Sequence, residues 1–297
     1  MKKTFIALFA LLFSLLSSGA TAESLAPNEK PIPIVASFSI IADMINEIGG
    51  DKVDVQSLVG PDEEPHNHEV LPADIKALAQ SEIIAINGLK FEEWLTPAIK
   101  ASETKAKLLV TSAGIKARSL VVQEDTLVDP HAWQSIRNGQ IYATNIAKAL
   151  IAARPQWADH FRQRAKNYIQ QMKELDAKTD QQLSAIPESK RFLVTMHNAM
   201  GYWAGDYGFK TLSLYGYNPE AQPKPRDVAN MIAKIRENKI GVLFPEHHES
   251  DAALKQVAKD SGAQIGPALF TGSLSEKAPH YLDLFKANSK TIIDALQ

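Results

Sequence analysis

Runs that suit strands alternate with runs that suit helices along most of this chain, and no other feature limits its fold as tightly. Ile32 to Phe38 reads as a buried strand. Ile40 to Ile48 follows with apolar residues at helical spacing, until Gly49-Gly50 supplies a stop. Val53 to Val59 alternates as a strand, Ala73 to Gln80 reads as a short helix, and Glu82 to Ile86 as another buried strand. Phe91 to Lys100 predicts a helix and Lys107 to Val110 a strand. Beyond Pro187 the alternation resumes, with strands at Arg191 to Met196, Lys210 to Leu214, Gly241 to Phe244 and Ala263 to Leu269. Helices are expected between and after them, at Arg226 to Asn238, Ala252 to Asp260 and Tyr281 to Leu296. Strands and helices in turn are the signature of βαβ units and parallel sheets.

One segment breaks the rhythm. After Pro155, apolar residues recur at Trp157, Phe161, Ala165, Tyr168, Met172, Leu175, Leu183 and Ile186, with no glycine and with proline only at the two ends. A helix of about 30 residues would reach roughly 45 Å. It reads as a stiff strut. The expected fold class is therefore α/β: two α/β lobes with mainly parallel sheets joined by one long backbone helix. The boundaries fall at 23–154 for the first lobe, 155–186 for the linking helix and 187–297 for the second.

The first 22 residues stand apart. Lys2-Lys3 precedes an apolar run from Phe5 to Leu16, and Ala20-Thr21-Ala22 offers a small-residue cleavage site. This three-part pattern is that of an export signal, with cleavage expected after Ala22 and a periplasmic destination. The apolar run is shorter than the ~20 residues a membrane span needs. No cysteine follows it, so no lipid anchor is expected. The whole chain has no cysteine, which excludes disulfides and thiolate ligands. Its 32 basic and 34 acidic side chains give no excess of the kind nucleic-acid binding requires.

Without thiolates, a transition-metal site must draw on His, Asp, Glu, backbone or water. The chain has eight histidines. Three of them sit where an open α/β sheet places ligands, beyond strand ends. His66 lies in the acidic loop after Val53 to Val59, with Asp62, Glu63, Glu64, His68 and Glu69 around it. His131 follows the turn-forming pair Asp129-Pro130, and His197 ends the apolar run Phe192 to Met196. Each has an ordinary structural reading: a polar loop, a capping histidine, a satisfied buried histidine. Together, as three neutral imidazoles, they suit a borderline metal, above all zinc. His160 is expected on the exposed side of the long helix, and His280 in a loop or first turn.

Those same segments resemble the zinc/manganese solute-binding proteins of ABC transporters. The resemblance rests on Pro65-His66-X-X-Glu69 with Pro72-Ala73-Asp74, on Asp129-Pro130-His131-Ala132-Trp133, and on Thr195-Met196-His197-Asn198. Val35-Ala36-Ser37-Phe38, Leu58-Val59-Gly60 and Asn87-Gly88-Leu89 before Trp94 extend it over the chain. It implies two lobes on one backbone helix, with His66, His131 and His197 as metal ligands between them. Manganese-type members tend to carry a carboxylate at the third position, where this chain has His197. The family often supplies a carboxylate from the loop after the final strand. Here that loop reads Phe270-Thr271-Gly272-Ser273, and Gly272 has nothing to donate. Water, Glu246, or His247 and His248 remain open as the fourth ligand. Glu246 is an alternative as an orienter of a histidine, and His68 as a weak first contact.

The expected function is capture of Zn2+ and its delivery, as a monomer, to an ABC-type permease in the inner membrane. Mn2+ or iron as cargo of the same transport class is the alternative. A zinc hydrolase with Glu246 as base is a third reading, against which stands the absence of a His-Glu-X-X-His helix.

Overall fold

The computed structural model describes residues 30–122, 125–217, 224–247 and 251–297. The expected export signal and His248 lie outside these. Strand β1 (Ile32–Phe38) is central in a four-stranded parallel sheet. β2 (Val53–Val59) lies on one side of it, β3 (Ile83–Ile86) on the other, and β4 (Lys107–Val110) at the far edge. Six of the seven β1 residues are buried. That continuous apolar run is what a parallel strand covered on both faces needs. Helix α1 (Ser39–Gly49) starts directly where β1 stops, and nine of its eleven residues are buried. It ends at Gly49-Gly50 as expected. A Cβ on Gly49 would lie 2.4 Å from Val53, and Gly50 takes φ 59°, so only glycine suits this return into β2. Helices α2 (Pro72–Gln80) and α3 (Leu95–Ala101) complete the βα alternation of the first half.

Four elements were not anticipated. An antiparallel hairpin of β5 (Ser119–Val122) and β6 (Asp125–Val128) follows β4. Helix α4 (Ile136–Ala153) then begins at Ser135, whose Oγ accepts the Asn138 N–H. Its buried face, Ile136, Tyr142, Ala143, Ile146 and Leu150, has ordinary helical spacing. Helix α6 (Gly201–Tyr207) is too short for its periodicity to stand out.

The long helix α5 (Ala158–Leu183) has 26 residues, about 39 Å, after a single turn at Pro155–Trp157. Of the expected stretch, residues 184–186 lie past its end. It packs along α1 and α4 and touches the last helix, α9 (Tyr281–Leu296). Phe161, Ala165, Tyr168, Met172 and Leu183 of α5 are buried in a core that also holds Trp133, Trp203, Phe270 and Tyr281. Burial of a large apolar side chain contributes about 1.5–3 kcal/mol, so the strut is held along its length. His160, expected on the exposed side of the helix, is only partly exposed. Its Nε2 lies 3.0 Å from the Gly49 carbonyl and helps close the end of α1.

The second half repeats the sheet order of the first in shorter strands. β7 (Phe192–Thr195) pairs in parallel with β8 (Lys210–Ser213), and β9 (Val242–Leu243) with β10 (Gln264–Ile265). The Phe244 N–H donates to Val194 O at 2.8 Å and sets β9 beside β7. Helices α7 (Pro225–Glu237) and α8 (Ala252–Ser261) cover a second apolar cluster built on Val194, Met196, Ile235, Leu254 and Val257. The expected strand at 263–269 is pairing-competent only at Gln264–Ile265, with one further bridge between Leu269 and Glu246. Adjacent parallel strands β7 and β9 thus end close together, and the residues just past them, His197 and Glu246, face each other. No helix among the described residues is long and apolar enough to cross a membrane.

Candidate metal centre

His66 stands in the loop that leaves β2. Its backbone N–H donates to Glu64 Oε1, and the preceding Pro65 carbonyl accepts the Trp94 indole N–H at 3.1 Å. Its ring meets Phe91 edge-on with centroids 4.8 Å apart.

His131 is shaped by Asp129. Oδ1 of Asp129 accepts the His131 backbone N–H at 3.0 Å and lies 2.9 Å from the ring Nδ1. An oxygen already accepting one N–H assigns the ring proton to Nδ1, which leaves the Nε2 lone pair directed away. The turn after His131 is anchored to the second half. Trp133 and Gln134 side chains donate to the Thr271 carbonyl at 3.0 and 2.9 Å. Tyr202 Oη donates to the Asp129 carbonyl at 3.0 Å.

His197 is held the same way by Glu246. The backbone N–H donates to Oε1 at 2.8 Å, and Nδ1 sits 2.6 Å from Oε2. Burial opposes ionisation of Glu246. The His197 ring, its hydrogen bonds and one from Thr271 outweigh that and hold the carboxyl below its ordinary value. Glu246 is therefore an anion fully enclosed by protein. For Asp129 burial prevails over the His131 N–H and pushes the carboxyl up to about 7.

The three rings converge. His131 Nε2 lies 3.1 Å from His66 Nε2 and 3.3 Å from His197 Nε2. Nitrogens bound to a tetrahedral zinc at 2.0–2.1 Å would be about 3.3 Å apart. With Nδ1 of His131 and of His197 each facing a carboxylate, two Nε2 lone pairs confront each other, and a cation between them turns that repulsion into ligation. Burial, together with the neighbouring rings, holds His66 well below the usual imidazole value, and burial does the same for His131. Both rings are neutral and available to a metal near pH 7.

The other expected contributors are elsewhere. His68 pairs with Asp74 Oδ2 at 2.9 Å and meets Trp94 edge-on, so it is not brought to the three rings. Asp74 in turn accepts the Leu71 N–H at the start of α2. Glu63 accepts the Gly60 N–H, and with Glu64 it serves loop geometry. The His247 ring lies 4.7 Å from Phe270, and the His247 backbone N–H donates to the Leu269 carbonyl. Glu246 stands behind His197 and not among the converging nitrogens. A Cβ at Gly272 would lie 3.1 Å from Pro65 Cδ, so this glycine lets the second half approach the His66 loop closely. A second group of potential ligands, Asp43, Glu47 and His280, lies on α1 and at the start of α9. Asp43 there accepts the Tyr281 N–H at 2.8 Å and the His280 ring at 2.7 Å, an arrangement that helix capping explains.

Sequence reasoning missed Glu92. This buried carboxyl accepts from Ser37 Oγ at 2.7 Å and from the N–H groups of Asn87 and Gly88 at 2.5 and 3.1 Å. It thereby secures a turn in which Gly88, Leu89 and Lys90 all have positive φ, two of them non-glycine. Asn87 extends the network to the Pro130 carbonyl beside His131. The Asn87-Gly88 pair announced the turn, but nothing in the sequence marked Glu92 as inward-facing. Burial pushes Glu92 up to about 7 from 4.5. The folded chain therefore keeps a proton that the unfolded chain releases above about pH 4.5. This contribution is complete below pH 4.5 and is lost as pH rises to about 7, by up to about 3 kcal/mol. Glu92→Gln cannot ionise, so its stability relative to wild type should improve between pH 5 and pH 8 in urea unfolding. A constant difference across that range would refute the assignment.

The chain is similar to known proteins over most of its length. The family model for the periplasmic component A of the zinc-uptake complex matches residues 34–295. The iron-binding protein YfeA of Yersinia pestis is 38% identical over 94% of this chain and 91% of its own length. The manganese-bound periplasmic metal-binding protein of Candidatus Liberibacter asiaticus superposes with a TM-score of 0.83 at 32% identity, over 90% of this chain and all of that one. The periplasmic zinc-binding protein TroA of Treponema pallidum gives a TM-score of 0.83 at 25% identity, over 90% of this chain and 99% of its own.

Proposed function

Since the chain belongs to the family of periplasmic metal-binding proteins that serve ABC transporters, we propose that its cargo is zinc, held by Nε2 of His66, His131 and His197. The observation that carries this reading is the donor set: three imidazoles, spaced for a tetrahedral ion, with no carboxylate oxygen among them. Imidazole suits zinc, whereas carboxylate and water suit manganese. Relatives are named for iron, manganese and zinc, so the choice rests on this chain's own residues. Water completes the fourth position, because Gly272 offers no donor and Glu246 is committed to His197.

The buried Glu246 also argues against a hydrolase. Glu246 is buried behind the His197 ring and not among the converging nitrogens, so it is not placed to act as base on a substrate held there. The protein works as an exported carrier, cleaved after Ala22, that hands zinc to a membrane permease. The lobes 23–154 and 187–297 contribute to the site from either side of α5.

Elemental analysis of protein purified without added metal should find one zinc per chain. Competition titration should then favour Zn2+ over Mn2+ by orders of magnitude. Preferential retention of Mn2+ or iron would overturn the zinc reading and leave the transport class intact. Gly272→Asp should narrow the gap by adding a carboxylate, since Mn2+ gains more from oxygen than zinc does. The new side chain must push Pro65 by a few tenths of an ångström, and a fall in thermal midpoint of the metal-free variant should accompany the altered preference. An unchanged Zn2+/Mn2+ ratio would show that position 272 does not face the ion.

A further inference from the structure

The three histidines are not equivalent. His131 and His197 are 0% and 2% exposed, while His66 is half-buried. His131 and His197 each have an Nδ1 held by a buried carboxylate. Among the described residues, no carboxylate is placed on the His66 ring, which rests on Phe91. His66 alone lines a cleft of about 390 Å³, whose walls include Phe91, Trp94, Leu127 and Tyr217, with Glu93 at its mouth. The cavity of similar size between β8 and α7 touches none of the three rings. Behind the rings lie Asp129, Glu246 and Trp133, all buried.

Two walls of the cleft are braced. Phe91 is carried on the positive-φ turn secured by Glu92, and Trp94 is tied to the Pro65 carbonyl. The opposite rim is hairpin strand β6, where Leu127 is 41% exposed. The acidic residues Asp62, Glu63 and Glu64 of the His66 loop do not line this cleft.

We infer that the cation enters and leaves through this cleft, and that His66 is the last ligand to bind it and the first to release it. The inference rests on the zinc reading above. The least tethered ring is the one that lines a cleft open to solvent. In release, water replaces the His66 nitrogen while His131 and His197, fixed by their carboxylates, still hold the ion. Uptake is the reverse.

Leu127→Trp tests this, because it narrows the cleft without touching a ring. Zn2+ association with metal-free protein would be followed by stopped flow, and release by a chelator in excess. Both rates should fall by the same factor, about tenfold for a barrier raised by ~1.4 kcal/mol. The dissociation constant should stay at the wild-type value, since neither end state changes. Leu108→Trp, on edge strand β4 and outside the cleft, should leave both rates unaltered. Unchanged rates in Leu127→Trp would overturn the route, as would a change confined to release. Failure of wild-type protein to bind Zn2+ would instead refute the zinc reading on which the route depends.

Discussion

His197→Ala should weaken zinc binding more than ~100-fold and also destabilise the metal-free protein. The first effect follows from coordination. Two imidazoles cannot fill a tetrahedral shell, and removing a ligand should exceed the 10–100-fold typical of losing a residue behind one. The second follows from Glu246. That carboxylate is fully buried, and the His197 ring is its principal counterweight to burial. Removing one partner of a buried charged pair costs about 3–5 kcal/mol. His66→Ala should show the first effect with little of the second, because no buried carboxylate depends on the His66 ring. Calorimetric titration and urea unfolding of both variants would separate the two. Wild-type affinity in either variant would contradict the ligand set. Equal destabilisation in both would contradict the assigned role of Glu246.

Glu246→Gln should lower zinc affinity by about 10–100-fold with all three histidines intact. Glu246 accepts the His197 backbone N–H and faces Nδ1 with its other oxygen. A carboxamide has one acceptor oxygen and one donor nitrogen. One of the two His197 groups must then face an N–H. If it is the ring, Nδ1–H loses its acceptor, and the tautomer that presents a bare Nε2 to the metal is no longer enforced. The negative charge that strengthens the imidazole as a donor is lost as well. Asp129→Asn should have a smaller effect through His131, since Asp129 Oδ1 alone receives both the backbone and ring N–H groups and an amide oxygen can accept both, so that only the negative charge is lost. Unaltered affinity in both variants would mean that ring packing alone orients the ligands.

These two carboxylates mark where sequence reasoning reached its limit. Asp129 stood two residues before His131, yet Asp129-Pro130 read only as a turn. Glu246 was considered both as a ligand and as an orienter. Its distance from His197 along the chain hid that β7 and β9 are neighbours, and only that adjacency selects between the roles. His68 misled for a related reason. Its spacing from His66 suggested a shared site, but the start of α2 uses Asp74 to hold it against Trp94.

The sequence by itself determined the α/β class, the long helix between two sheet-bearing halves, the outward turn of each chain segment after its strand, and the three histidines at those exits. These are local matters. Apolar periodicity dictates strand or helix, proline and glycine end them, and residue chemistry limits which metal could bind. The tertiary structure decided what stands behind each histidine and which of them reaches solvent. Such facts depend on pairs far apart in the chain, such as Glu246 with His197, Trp133 with Thr271, and Gly272 with Pro65. A side chain's own sequence does not state its neighbours. Burial of a carboxylate beside a ring nitrogen, and the charge and tautomer that follow, exist only once the two sheets have closed around a shared core.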